Sequence, residues 1–347
     1  MNFMDIYNNL PDFDLSNYSE FINNINESFH ALTKVDYQIN NDDCISYDIQ
    51  NLTKEHLHDR FAITYDNVRF DCLISSIPLN VKSLFFIFSG SRRPGIDKLP
   101  IFKRWSYYSF VGADTVVINI ADPMFYEYEK LALGWYYGSK NTSYLYYLSE
   151  IIKKIQNLFA IENRNTFLFG SSGGGYVSLQ LSMYFNDTTH IVINPQININ
   201  QYTHKQHFVD TVGISLVEKD PHRRNETLDI VADKISRKLN KFIILQNLTD
   251  EHDCTCHLFP LLKKINIGKA HLGLNCYDNL FVWLYTCVGG HNAQGDQYMF
   301  SYIIYLTNKV ANNENITDFD AFLFKNLSIL WRQREYFMDV VMNKNKK

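Results

Sequence analysis

The feature that most limits the fold of this chain is the alternation of short apolar runs with longer segments of helical spacing. Six runs rich in β-branched and aromatic residues are predicted to be strands: 81–89, 115–120, 166–169, 190–194, 241–246 and 281–288. Several are apolar throughout, which is typical of a parallel sheet covered on both faces. The alternation therefore predicts an α/β fold with a mostly parallel central sheet and helices on both faces.

Helical spacing and a hairpin add to this prediction. Apolar residues recur every three or four positions in 145–158 and again in 231–239. The runs 61–65 and 68–74 flank Asp66-Asn67 and predict an antiparallel hairpin at the sheet edge. Two further amphipathic helices are predicted near the termini, at 15–32 and 319–342.

Charge divides the chain into two parts. The formal net charge is only −4, which disfavours a bulk nucleic-acid binder. Residues 1–51 hold nine acidic residues and one basic residue, whereas the remainder carries a net charge of +4. We therefore assign 1–55 to an acidic N-terminal helical arm and 56–347 to the α/β domain, which includes the C-terminal helix.

The compartment is predicted from what the sequence lacks. No apolar run approaches the ~20 residues that cross a bilayer. The first residues lack the basic and apolar regions of a signal peptide. The six cysteines are few for 347 residues, which fits reduced thiols. We expect a cytoplasmic protein with no transmembrane segment.

The most informative motif is Gly170-Ser171-Ser172-Gly173-Gly174-Gly175, which follows an apolar strand and precedes a helical run. It contains G-x-S-x-G, the nucleophile elbow, in which small neighbours permit a tight turn and present a serine at the carboxyl end of the sheet. Ser172 fits the spacing, and Ser171 is the alternative nucleophile. A phosphate-binding loop is disfavoured because neither G-x-x-x-x-G-K-[ST] nor G-x-G-x-x-G is present.

Partners for the serine follow in the order Ser, acid, His, which is typical of α/β hydrolases. Asp250 lies just beyond the strand 241–246, with Asp253 as the fallback, and His291 lies on a Gly-Gly loop after the last strand. We predict that Asp250 orients His291, which takes the proton of Ser172. On this prediction Asp250→Asn lowers activity far more than Asp253→Asn.

The loops around this motif supply further candidates. An oxyanion hole is expected from the amide of Gly173 and a second amide at Gly90 or Ser91. Arg92 and Arg93 either attract an anionic substrate or form an ordinary solvated turn. Trp135 either stacks on a sugar or adenine ring or packs in the core. These candidate binding residues follow from loop position and side-chain chemistry.

One cluster is discounted as a metal site. His252, Asp253, Cys254, Cys256 and His257 lie close together in sequence. Zinc sites need four ligands in tetrahedral reach, usually from two paired motifs, and the second pair is missing. The sequence therefore predicts no metal site.

Four short blocks together resemble the capsular polysaccharide O-acetyltransferases of encapsulated Gram-negative bacteria that have an α/β-hydrolase fold. The blocks are Leu168–Gly174, Ile191–Gln196, the acid loop at Asp250, and Gly289–Asn292. The resemblance implies that fold, a triad of Ser172, Asp250 and His291, and Gln196 near the acceptor. It also implies acetyl-CoA as co-substrate and no permanently bound cofactor. This chain differs in its acidic arm, in Gly174-Gly175 where a lysine can occur, and in the extra His and Cys residues of its acid loop.

The expected function is transfer of an acetyl group from acetyl-CoA to a hydroxyl of a capsular or surface polysaccharide through an acetyl-serine at Ser172. The expected partners are the polysaccharide and acetyl-CoA, with a homo-oligomer or capsule-assembly proteins as further candidates. A serine esterase or deacetylase with the same triad is the first alternative. A non-catalytic polysaccharide or secretion accessory protein with the same fold is the second.

Overall fold

A ten-stranded sheet forms the centre of the computed structural model, which describes residues 12–14, 44–287, 290–292 and 297–328. The strands of this sheet are β2 Ser46–Asp48, β3 Arg60–Tyr65, β4 Val68–Ile74, β5 Ser83–Phe88, β6 Thr115–Ile120, β7 Thr166–Ser171, β8 Thr189–Ile193, β9 Lys241–Asn247, β11 Gly273–Tyr277 and β12 Leu280–Tyr285. A separate antiparallel pair joins β1 Asp12–Asp14 to β10 Lys269–His271.

The strand order in the sheet is β11-β12-β9-β8-β7-β5-β6-β4-β3-β2. The six central strands from β12 to β6 run parallel to one another. The strands β4 and β11 are antiparallel to the parallel strands beside them. Parallel strands end at the same edge of the sheet, so the loops after β5, β7, β8, β9 and β12 meet there. The predicted α/β fold with a mostly parallel sheet is confirmed.

Helices cover the sheet on both faces. They are α1 Met124–Glu127, α2 Tyr144–Phe159, α3 Gly173–Leu181, α4 Lys205–Val212, α5 Thr227–Ser236, α6 Glu251–Asp253, α7 Phe259–Lys264, α8 Gln297–Ala311 and a helix over 318–328. A π-helical turn, Cys254–Leu258, connects α6 to α7. Leu84 and Phe86 pack in the core on the α2 face, whereas Phe85 and Ile87 pack with α8 on the other. Because both faces of β5 are buried, every residue after its first, Ser83, is apolar.

The edges of the fold differ most from the expectation. The hairpin of β3 and β4 is present, but β2 lies beyond it and pairs parallel with β3. Ser46–Asp48, assigned to the arm, thus lies in the central sheet. The predicted helix at 15–32 falls outside the described residues, as does 329–342 of the predicted terminal helix. Strands β2, β10 and β11 were not predicted, because each is short and gains its order from pairing.

None of the helices in the described residues combines the length and apolar character needed to cross a lipid bilayer.

Candidate active site

Ser172 occupies the tight turn between β7 and α3 at the carboxyl edge of the sheet. Its φ of +54° is unusual for a residue with a side chain, as expected of a strained nucleophile elbow. A Cβ on Gly170 would lie 2.1 Å from the carbonyl oxygen of Gly174, and one on Gly174 would lie 2.4 Å from that of Phe88. Only glycine fits these two positions, because the backbones of β7, α3 and β5 approach so closely.

His291 lies directly against this serine. The short helical turn Gly290–Asn292 carries it back over the sheet edge after β12. Its Nε2 is 2.7 Å from Ser172 Oγ, which is hydrogen-bonding distance. The His291 side chain is 33% exposed, so part of the ring is in contact with solvent. The geometry is that of a serine next to a general base.

Two carboxylates face the other nitrogen of His291. Asp253 Oδ2 lies 2.5 Å from His291 Nδ1, and Asp250 Oδ2 lies 3.3 Å from the same atom. Asp250 also uses its Oδ1 to accept the backbone N–H of Asp253 at 3.1 Å, which caps the start of α6. The contact between Asp253 and His291 is therefore the closer one. Asp250 as the acid stays a prediction, and these distances favour the fallback, Asp253, because helix capping orients the Asp250 side chain.

The electrostatics of the three groups fit a charged pair. Burial alone lowers the pKa of His291, but contacts with Asp250 and Asp253 outweigh it and raise the pKa to about 9. Burial raises the pKa of Asp253, and the charge of Asp250 adds to that effect, while His291 opposes it. Despite burial, hydrogen bonds from His291 and Asp253 hold the pKa of Asp250 below its usual range. The second acid thus adds to the basicity of the histidine.

Two buried asparagines at the ends of neighbouring strands hold the histidine loop. Asn247, the last residue of β9, donates from Nδ2 to the carbonyl oxygens of Cys287 and Gly290 and accepts the Cys287 N–H at its Oδ1. Asn194, just after β8, donates to the His291 carbonyl oxygen at 3.3 Å and accepts the Asn247 N–H. Sequence reasoning missed both, although a polar residue closing an apolar strand was the available signal.

The predicted oxyanion amides lie near the elbow. Gly173 is the first residue of α3, so its N–H has no partner in the helix. A Cβ built on Gly90 would lie 3.9 Å from that nitrogen, which places the loop after β5 beside it. The side chain of Ser91 is exposed. In the described part of the chain, no residue accepts a hydrogen bond from the Gly90 or Ser91 amide.

The two arginines of this loop are engaged elsewhere. Arg92 is buried, and its guanidinium donates to the carbonyl oxygens of Tyr128, Glu129 and Leu131. Arg93 is exposed and forms an ion pair with Asp97 at 2.7 Å. Neither side chain is placed as expected for a substrate contact. Arg92 holds two loops together, and Arg93 pairs with Asp97 in its own loop.

Trp135 and Gln196 come together away from solvent. Trp135 is fully buried, and its Nε1 donates to Gln196 Oε1 at 2.7 Å. Its ring packs against those of Tyr176, Tyr202 and Phe208. The faces of the indole are therefore covered by the protein, as in the core-packing alternative. Gln196 is also buried and has its oxygen engaged, which differs from the expected contact with an acceptor.

Arg104 is a cation at the elbow that the sequence did not indicate. Its Nη1 donates to Ser171 Oγ at 2.7 Å, which engages the hydroxyl of the alternative nucleophile. Arg104 lies 67 residues before Ser171 in a loop with no motif, so nothing in the local sequence pointed to this contact. The contact gives the two neighbouring serines different partners: Ser171 meets a guanidinium and Ser172 meets an imidazole.

Among the described residues, two groups of side chains have the spacing of metal ligands, namely His252 with Asp253 and His257, and Asp250 with Asp253 and His291. In the first group, the backbone N–H of Asn198 donates to His257 Nδ1, so the proton of the neutral ring is on Nε2. A protonated nitrogen cannot bind a metal. In the second group, both nitrogens of His291 already contact Ser172 and Asp253. Hydrogen bonds thus account for both groups.

Comparison with known proteins agrees on the fold. No protein-family model and no curated protein matches the sequence. Among solved structures, an S-formylglutathione hydrolase from Agrobacterium tumefaciens is similar at a TM-score of 0.51 and 12% identity, covering 74% of this chain and 95% of that chain. An acylaminoacyl peptidase from Pyrococcus horikoshii is similar at 0.51 and 11%, covering 76% and 43%. The chain has an α/β-hydrolase fold.

The capsule O-acetyltransferase of Neisseria meningitidis serogroup A is also among the similar structures. The match has a TM-score of 0.49 and 18% identity and covers 71% of this chain and 95% of that chain. This is a distant relationship of fold.

Proposed function

We propose that this protein is a serine-dependent acyltransferase that forms an acyl-enzyme on Ser172. The observation that carries the proposal is the hydrogen-bonded series from Ser172 Oγ through His291 to Asp253, with contacts of 2.7 and 2.5 Å. A serine hydroxyl is a weak nucleophile until an adjacent base accepts its proton, and the base must be held by a third group. This chain supplies all three groups at the carboxyl edge of its sheet.

In the proposed first half-reaction, Ser172 Oγ attacks the carbonyl carbon of acetyl-CoA while His291 Nε2 accepts the hydroxyl proton. Asp253 stabilises the imidazolium and keeps the other proton on Nδ1. The amides of Gly173 and of Gly90 or Ser91 stabilise the oxyanion. The C–S bond then breaks, and His291 returns its proton to the thiolate, so that CoA leaves as a thiol and the serine carries the acetyl group.

In the second half-reaction, a sugar hydroxyl of a capsular or surface polysaccharide attacks the acetyl-serine. His291 accepts the proton of this hydroxyl, the bond from carbon to Ser172 Oγ breaks, and the serine regains its proton. The choice of acetyl-CoA and a glycan rests on the sequence blocks around Ser172, Asp250 and His291 that resemble capsular O-acetyltransferases. One structure of the meningococcal enzyme contains CoA. A cytoplasmic location belongs to the same proposal, since CoA is found there.

Hydrolysis is the second candidate, and one observation favours it. The His291 side chain is 33% exposed, so water has access to the base that would activate it. A transferase must hinder water at the acyl-enzyme stage. The two candidates share the first half-reaction and differ only in the nucleophile of the second.

The test is intact-protein mass spectrometry after mixing with acetyl-CoA, for the wild type and for Ser172→Ala. The proposal expects one acetyl group on the wild type and none on the variant. Ser171→Ala is the matched control, because it removes the neighbouring hydroxyl and leaves Ser172 in place.

The fate of the adduct separates the two candidates. Discharge by added polysaccharide with little free acetate supports transfer, whereas acetate release without a glycan product supports hydrolysis. If neither acetyl-CoA nor an activated acetyl ester acylates the wild type, the proposal of an acyl-serine enzyme is wrong.

A further inference from the structure

A second histidine lies beside the proposed catalytic acid and has no part in the mechanism above. His257 is on the π-helical turn Cys254–Leu258, and only 1% of its side chain is exposed. Burial, with a smaller effect from the charge of His252, lowers the pKa of His257 to about 3. The ring is therefore neutral.

The position of the ring proton follows from one contact. The backbone N–H of Asn198 donates to His257 Nδ1 at 3.2 Å, so that nitrogen is an acceptor. In a neutral imidazole the proton must then be on Nε2. His257 thus presents an N–H donor from Nε2, and its tautomer is fixed by the loop after β8.

This donor is buried without a hydrogen-bond partner among the described residues. A buried donor left unpaired costs about 1–3 kcal/mol, so such groups are rare and call for an explanation. Asp253 Oδ1 lies 3.7 Å from His257 Nε2. The other oxygen of the same carboxylate is the one that contacts His291. Asp253 therefore lies between two histidines, with one of them facing each oxygen.

His257 lies on a π-helical turn that begins directly after Asp253. The N–H of Phe259 bonds to the carbonyl oxygen of Cys254, five residues earlier, which widens the turn. Asp253 and His257 are four residues apart, a spacing that puts side chains on the same face of a helix, and both are buried. Single π turns of this kind occur frequently at functional sites.

We propose that His257 is a positioning residue for Asp253, whose carboxylate it holds by donating Nε2–H to Oδ1 when the site is engaged. The inference rests on the proposed function of Ser172, His291 and Asp253. A separation of 3.7 Å is too long for a full hydrogen bond, and such contacts in catalytic sites often tighten only in the complex with substrate. With Oδ1 held, rotation of the carboxylate away from His291 is opposed.

The experiment measures the rate at which a fluorophosphonate probe labels Ser172. His257→Leu removes the donor, whereas His257→Gln keeps an N–H at the position of Nε2. We expect His257→Leu to slow labelling by about 10-fold to 100-fold, since small misplacements of catalytic groups have effects of that order. His257→Gln should recover the rate to within about threefold. Thermal unfolding confirms that each variant is folded.

A double-mutant cycle tests whether the effect acts through Asp253. With Asp253→Ala already present, adding His257→Leu should slow labelling no further, because the carboxylate that it holds is gone. His190 supplies the matched control: it is also buried and neutral, but it bonds to Thr188, just before β8, and to the Ser178 carbonyl oxygen in α3. The folded fraction of His190→Leu should label at the wild-type rate.

Two results would overturn the inference. One is equal labelling of the wild type and His257→Leu, and the other is the same loss with and without Asp253. If His257→Leu does not fold, His257→Asn replaces it, because its shorter amide does not reach the position of Nε2; equal rates for His257→Asn and His257→Gln then contradict the inference. Failure of the proposed function is distinguishable, since in that case the wild type itself is labelled no faster than Ser172→Ala.

Discussion

The two halves of the candidate site are built by different means. The nucleophile half consists of the end of β5, the turn at Ser172 and the start of α3, where backbone meets backbone and only glycine fits at Gly170 and Gly174. The acid and histidine half consists of the loops after β9 and β12, which side-chain hydrogen bonds from Asn194 and Asn247 hold together.

This difference explains why one half can be recognised in a sequence and the other only in part. Close backbone packing forces a pattern of glycines at fixed spacing, and such a pattern is visible. Side-chain hydrogen bonds across 40 or more residues, such as the bond from Asn247 to the Cys287 carbonyl oxygen, leave no fixed spacing. The choice among nearby acids then depends on where each carboxylate points.

The largest expected effect is in the nucleophile half. Ser172→Ala should lower the rate of acylation by about 10⁵-fold or more, because it removes the attacking oxygen. Ser171→Ala should lower it by less than about 10-fold, since its hydroxyl contacts Arg104 and not His291. Stopped-flow or mass-spectrometric acylation rates measure both. Similar losses in the two variants would leave the nucleophile unassigned.

The next effect concerns the two acids. Asp253→Asn should lower the acylation rate by about 10³-fold to 10⁴-fold, because it removes the charge that stabilises protonated His291 and favours the wrong tautomer. Asp250→Asn should lower it only about 10-fold, since Asp253 keeps its 2.5 Å contact. This order is the reverse of the one that the sequence predicted. A larger loss in Asp250→Asn would restore Asp250 as the acid.

A glycine substitution tests the backbone packing of the nucleophile half. Gly170→Ala should lower the free energy of unfolding by about 3 kcal/mol or more, because the new methyl group overlaps the Gly174 carbonyl group. Gly268→Ala is the control, as a Cβ there meets no atom within 4 Å. Urea unfolding should place the control within about 0.5 kcal/mol of the wild type. Equal stability of the two variants would argue against the close packing at the elbow.

The corresponding test in the other half is Asn247→Ala. We expect it to lower the free energy of unfolding by about 2 kcal/mol, because the carbonyl oxygen and N–H of Cys287 lose a buried partner. Acylation should also slow, since the same side chain bonds to the Gly290 carbonyl oxygen beside His291. Thermal unfolding and labelling of Ser172 report the two effects separately. Loss of stability with unchanged labelling would show that the histidine loop needs no such support.

The smallest expected effect is on pH dependence. His291 must be neutral to accept the proton of Ser172, and its pKa is raised to about 9. The acylation rate should therefore rise with pH, and the midpoint of this rise should lie above about 6.5, the ordinary pKa of histidine. Asp250→Asn removes one of the two negative charges and should move the midpoint to lower pH by about one unit. A midpoint that does not move would mean that Asp250 adds nothing to the basicity of His291.

The raised pKa of His291 also makes the stability of the fold depend on pH, and stability should fall as the pH rises. A histidine whose pKa is raised in the folded state stabilises the protein fully below its unfolded pKa of about 6.5. That stabilisation is lost as the pH rises toward 9. Urea unfolding at several pH values between these limits should show that the free energy of unfolding of the wild type falls with pH. The fall should be smaller in His291→Gln.

Much of the fold and part of the site were predictable from the sequence. The apolar runs that became β5 to β9 and β12 follow from burial on both faces, and the turn at Ser172 follows from its glycines. Strands β2, β10 and β11 were not predictable, because their order depends on partners far away in sequence. The surroundings of Arg92, Trp135 and Gln196 were also beyond reach, since a side chain's type does not say whether protein or solvent surrounds it.

The sequence by itself determined a parallel sheet and a serine held in a tight turn at its carboxyl edge, because hydrophobic periodicity and glycine spacing are local properties. It also limited the candidate positions of the histidine and the acid to two loops. Only the tertiary structure decided that Asp253 makes the 2.5 Å contact with His291 while Asp250 caps the helix. The two acids are only three positions apart along the chain. The partner of each carboxylate depends on its direction, which is set by the turn of α6 against a histidine 38 residues after Asp253.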